Sequence, residues 1–263
     1  MAGFTRSSSS VAAGIAISSL VIVVTSSRLA LKWVIVAVTV PALILTTAKS
    51  ITVGYLVAVA YLALPNLLAM QLRAPLLVAL GGVGVALPAL GWFLNTQKLP
   101  VIHGVDFLYT LAARLAETWP DIWTMLAEHG HWFFGRGVGG LGVSQRVFES
   151  IIWVPPDNLY LFVYGTFGLL GLLATAWLVP YAIVWRFETD TVQRTLSAIA
   201  IVVLVSAITD KVLQSGYLGF AGGLVLAAMT SRLRIVRETP NRHGQAPRSE
   251  SARPAERLTP NVV

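Results

Sequence analysis

The chain of 263 residues contains no cysteine. That excludes a disulfide, a thiolate metal site and a cysteine nucleophile. Charge is scarce too: 12% of residues are Asp, Glu, Lys or Arg, about half the roughly 25% usual in a soluble domain. Alternating apolar–polar strands are absent, which argues against an outer-membrane barrel. Acidic residues are outnumbered, 12 against 19 Lys and Arg, for a formal charge of +7. This excess does not mark a nucleic-acid face, because residues 231–263 carry seven Arg against three Glu, +4 of the total. That Pro-, Ser- and Arg-rich tail reads as a disordered segment near anionic lipid headgroups. Clustered metal ligands are also missing. His103, His129 and His131 are scattered, residues two apart do not share a helical face, and no third ligand is evident. No metal or cofactor is expected.

What is abundant is apolar sequence, 56% of the chain, in blocks near the ~20 residues that cross a bilayer as a helix. In lipid the backbone must satisfy its own hydrogen bonds, so helices are the expected form. The reading is an all-α integral membrane protein with about seven transmembrane helices, near 11–25, 29–48, 51–71, 75–94, 158–185, 195–209 and 212–230. The first, with Arg6 ahead of it, has the look of a signal peptide but lacks a cleavage site followed by a soluble domain. The glycine-rich stretch 81–91 is expected to be kinked or re-entrant. The domains are then membrane segments over 1–94, a large loop over 95–157, membrane helices over 158–230 and the tail over 231–263.

The loop carries Lys98, Arg114, Arg136 and Arg146 against Asp106, Glu117, Asp121, Glu128, Glu149 and Asp157, four against six, a net of −2. A connection at Arg73, another with Arg186 and Arg194, and the tail are basic. Counting Lys and Arg near span ends puts these in the cytoplasm and the large loop outside, in a multi-pass protein of the cytoplasmic membrane. The same count puts Arg28 and Lys32 inside and the N-terminus outside, which suggests upstream helices. Asp210 and Lys211 read as a solvated turn at the outer end of the sixth span.

Within the loop, Leu108, Leu111, Leu115, Trp119, Ile122 and Leu126 recur in steps of three and four and mark one helical face. Arg114, Glu117, Asp121 and Glu128 form a neighbouring polar stripe. Pro120 is expected to divide the run into two helices. Trp119, Trp123, Trp132 and Phe133 suit the headgroup level, so the pair is expected to lie on the membrane surface. The following "FFGRGVGGLG" matches G-x-G-x-x-G at Gly135, Gly137 and Gly140. It has no preceding strand or following helix of a dinucleotide-binding unit. It reads either as a flexible surface turn or as a place where backbone and Arg136 approach a ligand.

Three stretches in order carry a resemblance. "VVTSSRLALKWVIVAVTV" has a Ser-Arg pair at a span end. "AARLAETWPDIWTMLAEHGHWFFGRGVGGLG" has Arg114, then Trp119, then the glycine turn. "PPDNLYLFVYGTFGLLGLL" opens a span on Asn-Leu-Tyr-Leu. Together, over about residues 11–230, they resemble the O-antigen ligase and Wzy-type polysaccharide polymerase superfamily. Members have ten or more spans, so the chain resembles the C-terminal half. Where the family has a histidine before the asparagine, this chain has Asp157. The family's Ser-Arg pair faces the periplasm, whereas the charge count puts Arg28 inside. If the family's sidedness holds, one segment between 51 and 94 does not cross.

The resemblance implies a metal-independent glycosyltransferase of O-antigen or exopolysaccharide biosynthesis. Its donor would be an undecaprenyl-diphosphate-linked glycan and its acceptor a glycan or lipid-linked sugar. Membrane lipids and other polysaccharide-assembly membrane proteins are the remaining expected partners. A diphosphate leaving group needs cations, for which arginine's planar five-donor fork suits, and an acceptor hydroxyl needs a base. Arg114 and Asp157 are the catalytic candidates. Arg136, Arg28, Asn158 and Gly137 are the substrate-binding candidates. Simpler roles stand beside these: Arg114 pairing with Glu117 or Asp121 on its own helix, and Asp157 as a helix N-cap. A lipid-linked-sugar transporter and an inactive, truncated membrane partner are the competing functions. The near absence of charge inside the spans speaks against the transporter.

Overall fold

The structure, a computed structural model, describes residues 8–96, 111–128, 130–142, 145, 157–184, 190–209, 218–225 and 227. Those residues are mostly helical, with no strand among them. The helices are α1 (Ser8–Thr25), α2 (Leu29–Leu45), α3 (Lys49–Ala63), α4 (Asn66–Thr96), a π-helical turn (Arg114–Thr118) running into α5 (Trp119–Glu128), α6 (Leu159–Val184) and α7 (Asp190–Thr209). Residues 218–225 are also helical. By length and composition three of them are apolar enough to cross a membrane: Ser8–Thr25, Asn66–Leu94 and Thr191–Thr209. Leu29–Leu45, Lys49–Ala63 and Leu159–Ala174 are shorter apolar helices.

Three boundaries differ from the sequence expectation. The basic connection at Arg73 does not exist: α4 runs unbroken through it, and Arg73 is only 4% exposed. The turn comes earlier, at Leu64 and Pro65, where the proline removes the donor that would continue α3. The glycine-rich stretch 81–91 is not re-entrant but an ordinary part of α4, which carries Pro75 and Pro88 internally. Conversely, the single span expected over 158–185 is interrupted at Gly168 (φ 62°, ψ −150°), a left-handed backbone that ends one helical segment and starts another. Asp210, Lys211, His103, His129, Leu108 and the tail lie outside the described residues.

One core unites α1, α2, α3, α4 and α7, with Leu20, Leu43, Ile51, Tyr55, Ile201 and Val202 among its fully buried or nearly buried members. The helices α3 and α7 are antiparallel. Near one end Arg194 of α7 donates to the carbonyl oxygens of Leu62 and Leu64 and to Asn66 Oδ1. Further along, Gly54 lies against the Val202 backbone, a close approach that a side chain would obstruct. Inside the apolar packing, the Thr39 hydroxyl donates to Ser19 Oγ at 3.0 Å, and Ser19 Oγ lies 2.7 Å from the Tyr55 hydroxyl. These bonds join α1, α2 and α3 and satisfy groups that would be costly to bury alone.

The antiparallel hairpins give the bundle two ends. The α1–α2 turn with Arg28, the α3–α4 turn and Arg194 share one. The α2–α3 turn, the last residues of α4 and α7 and the start of α6 share the other, where Asn158 meets Ile208.

Candidate functional site

The helical run 111–128 is built as the apolar periodicity predicts. Trp119, Ile122 and Leu126 are fully buried, and Leu111 and Leu115 pack against the same cluster with Leu141, Leu161 and Tyr164. Glu117, Asp121 and Glu128 face outward. Trp119 is therefore a core residue and not a headgroup anchor. Pro120 does not split the run. The turn before it widens, so that the Trp119 amide donates to the Arg114 carbonyl five residues back. This π-helical spacing loosens the turn that a proline would otherwise crowd. Burial pushes the Asp121 carboxyl up, and Glu117 one turn earlier adds to the rise.

Arg114 and Asp157, chosen separately for their chemistry, meet. Arg114 Nη2 donates to Asp157 Oδ2 at 3.5 Å, and the side chains are 19% and 22% exposed. Among the described residues this ion pair, across 43 positions, replaces the expected local one with Glu117 or Asp121. The Arg114 Nε is buried without a hydrogen-bond partner, which leaves a fixed cationic donor at the pair. Asp157 does not supply the α6 cap. The cap is Asn158, whose Oδ1 accepts from the Leu161 amide at 2.8 Å. Asn158 Nδ2 donates to the Gly84 carbonyl at 3.0 Å and the Ile208 carbonyl at 2.9 Å. With no exposed surface, Asn158 clamps α4, α6 and α7 beside Asp157.

The glycine turn is bonded to the interruption in α6. The Arg136 amide donates to the Gly165 carbonyl (2.8 Å), the Gly137 amide to Thr166 (2.9 Å), and the Leu169 amide to Phe133 (2.9 Å). Breaking α6 frees backbone groups, and the turn satisfies three of them. The approach needs glycine on both sides. A Cβ on Gly135 would lie 2.5 Å from the Thr166 carbonyl carbon, and one on Gly168 would lie 2.1 Å from the Phe133 oxygen. The expected flexible surface turn is thus a docked one. Arg136 sends Nη1 to Met125 Sδ at 2.7 Å, a weak acceptor, and Gly137 is exposed. Arg28 is exposed in the α1–α2 turn, at the opposite end of the bundle from Asn158 and Asp157. The fold therefore gathers Arg114 and Asp157, fixes Arg136 and Gly137 on α6, and leaves Arg28 apart.

Sequence reasoning missed the aromatic cluster. Trp123 stacks on Trp132 (centroids 5.8 Å, planes 22° apart), and Tyr164 lies 5.1 Å from Trp123 and 6.4 Å from Trp132. Trp92 lies 6.5 Å from Trp123, and the Trp123 indole donates to the Pro88 carbonyl at 3.1 Å. The tryptophans were legible as residues, but nothing in their spacing shows that four rings from three helices and a turn converge. Among the described residues, no group of three or more His, Cys, Asp or Glu is placed to hold a metal ion. Comparison with protein families, with curated proteins and with solved structures finds no match to this chain.

Proposed function

We propose that the chain is a membrane glycosyltransferase that transfers or polymerises undecaprenyl-diphosphate-linked glycan units, working at the Asn158 end of the bundle. The observation that carries this reading is the half-buried Arg114–Asp157 pair. In the proposed reaction the acceptor hydroxyl oxygen attacks the anomeric carbon, and the bond from that carbon to the diphosphate oxygen breaks. The electron pair leaves on the diphosphate, where Arg114 stabilises it through its guanidinium. Asp157 takes the hydroxyl proton. Arg136, held by its amide on Gly165, is a second cation for the lipid-linked donor. The chain is read as a multi-pass protein of the cytoplasmic membrane with seven membrane segments. The loop before Asp157 is read as external, because Arg28, Lys32 and Arg194 gather at the other end.

The test is polysaccharide output from Arg114 and Asp157 variants at equal protein level. Arg114→Lys is expected to fail nearly as badly as Arg114→Ala, because an ammonium does not reproduce the fork. Asp157→Asn keeps the shape and an acceptor for Arg114 but loses the base, and is expected to slow turnover by about 10²–10⁴. Asp157→His restores the residue type of the resembled family and is expected to keep partial activity. Wild-type glycan ladders from Arg114→Ala and Asp157→Asn would sink the assignment.

The interruption in α6 favours one second reading, a transporter of lipid-linked sugars, since discontinuous helices build substrate sites in transporters. Reorientation of a labelled lipid-linked sugar in proteoliposomes, with no glycan product formed, would favour it.

A further inference from the structure

The geometry points to a second subsite: the exposed face of Trp132 is a stacking platform for a neutral pyranose ring of the glycan. This inference rests on the glycosyltransferase reading for the identity of its ligand. The 114–123 segment and the start of α6 run side by side in parallel. Arg114 pairs with Asp157, Ile122 lies 3.9 Å from where a Gly165 Cβ would stand, and Trp123 packs on Tyr164. The ring cluster is therefore carried by the same two segments as the ion pair. Trp123 comes nine positions after Arg114 and Tyr164 seven after Asp157, about 10–14 Å of helix. A chain of sugars whose reducing end lies at the pair would extend across the rings.

The rings have the form such a ligand needs. Tyr164 is 9% exposed and Trp123 half-buried, while Trp132, stacked on Trp123, keeps 39% of its surface open. Contact with both Trp123 and Tyr164 holds the indole before any ligand arrives, so stacking immobilises little that was free. The face of a pyranose that carries its axial C–H bonds is flat, apolar and weakly positive, and it complements the negative face of an indole. One polar side chain, His131, precedes the platform, and Arg136 follows four positions on, past Phe133 and Phe134; a few polar groups beside an apolar surface are what fix orientation in ligand sites. The loop's net charge of −2 disfavours an acidic sugar and favours a neutral one. A headgroup anchor explains the arrangement less well. Exposed Phe133 and Phe134 beside it have the character of an interfacial anchor, but an anchor does not require the stacking of Trp132 on Trp123 and its packing near Tyr164.

The experiment is saturation-transfer NMR on the full chain in nanodiscs, with maltose, lactose, cellobiose and methyl mannoside as probes. Transfer to ring C–H protons of at least one probe is expected. It should weaken about tenfold in Trp132→Ala, the size expected for one lost stacked ring. It should survive in Trp132→Phe, which keeps an aromatic face, and in Trp33→Ala. Absence of transfer from all four probes would overturn the platform, as would equal transfer in Trp132→Ala. So would quenching of Trp132 emission by brominated lipid that sugar does not relieve, since that marks a bilayer anchor. The two proposals fail separately. Sugar transfer alongside wild-type polymer from Arg114→Ala removes the transferase reading and keeps the platform. Lost polymer from Arg114→Ala without sugar transfer does the reverse.

Discussion

At the residue scale, Asn158 has the largest structural duty for its size. Its side chain makes three hydrogen bonds, to Leu161, Gly84 and Ile208, with no exposure to water. Asn158→Ala removes a helix cap and two interhelical bonds, a loss of about 2 kcal/mol. Asn158→Asp keeps the cap but sets an oxygen against two carbonyls, and is expected to be the more damaging. Denaturation in detergent micelles measures both, and an unchanged midpoint in Asn158→Asp would show that the clamp is dispensable. Asp121 gives a pH signature. Its folded-state carboxyl titrates above the usual aspartate range because burial, then Glu117, opposes ionisation. A raised carboxyl contributes stability that is present below the unfolded value of about 3.9 and lost as pH rises through the folded one. The loop helix should therefore loosen slightly as pH rises from about 4, and Asp121→Asn should flatten that trend in hydrogen exchange. The effect is small because Asp121 is mostly exposed. Arg114 and Asp157 were legible one at a time, from what guanidinium and carboxylate do. Their contact was not, because 43 residues of chain separate them and only the parallel run of two segments closes the distance.

At the scale of elements, apolar content located the helices and local exceptions misplaced their limits. Arg73 read as a loop because a charge in an apolar run normally faces water, yet α4 buries it. Pro65 was visible and marked the true turn. The interruption of α6 was hidden because Gly168 sits in "GTFGLLGLL", where several glycines are equal candidates and only the docking of the turn selects one. Substitutions should rank accordingly. Gly168→Ala meets both a positive φ and the Phe133 oxygen, and Gly135→Ala meets a positive φ and the Thr166 backbone. Gly137 has φ 79° but nothing within 4 Å, so Gly137→Ala costs only about 1–2 kcal/mol of backbone strain. Limited proteolysis of the loop should accelerate strongly in the first two variants and modestly in the third. Equal rates in all three would mean that the turn is not held by its contact with α6.

At the scale of the whole molecule, the described charges are unevenly shared between the two ends of the bundle. The α1–α2 turn with Arg28 and Lys32 shares one end with Arg194, while the Arg114–Asp157 pair stands beside the start of α6 toward the other, where exposed Lys49 opens α3. The hairpin order, legible from the sequence as a run of apolar segments, produces this distribution. If the basic end is cytoplasmic, a cysteine placed at exposed Thr124 of α5 reacts with an impermeant reagent in intact cells, and one at Ser249 in the tail reacts only after lysis. Labelling in the opposite pattern would invert the orientation and remove the Arg114–Asp157 pair from the outer surface.

The docking of Phe133, Arg136 and Gly137 on α6 also bears on biosynthesis. Three backbone groups stranded by the interruption at Gly168 find partners in residues that leave the ribosome about 30 positions earlier. The loop begins where α4 ends, so it is already delivered when α6 follows it. Chain order supplies the splint before the fracture, and the nascent protein need never hold a broken helix open while waiting for its mate.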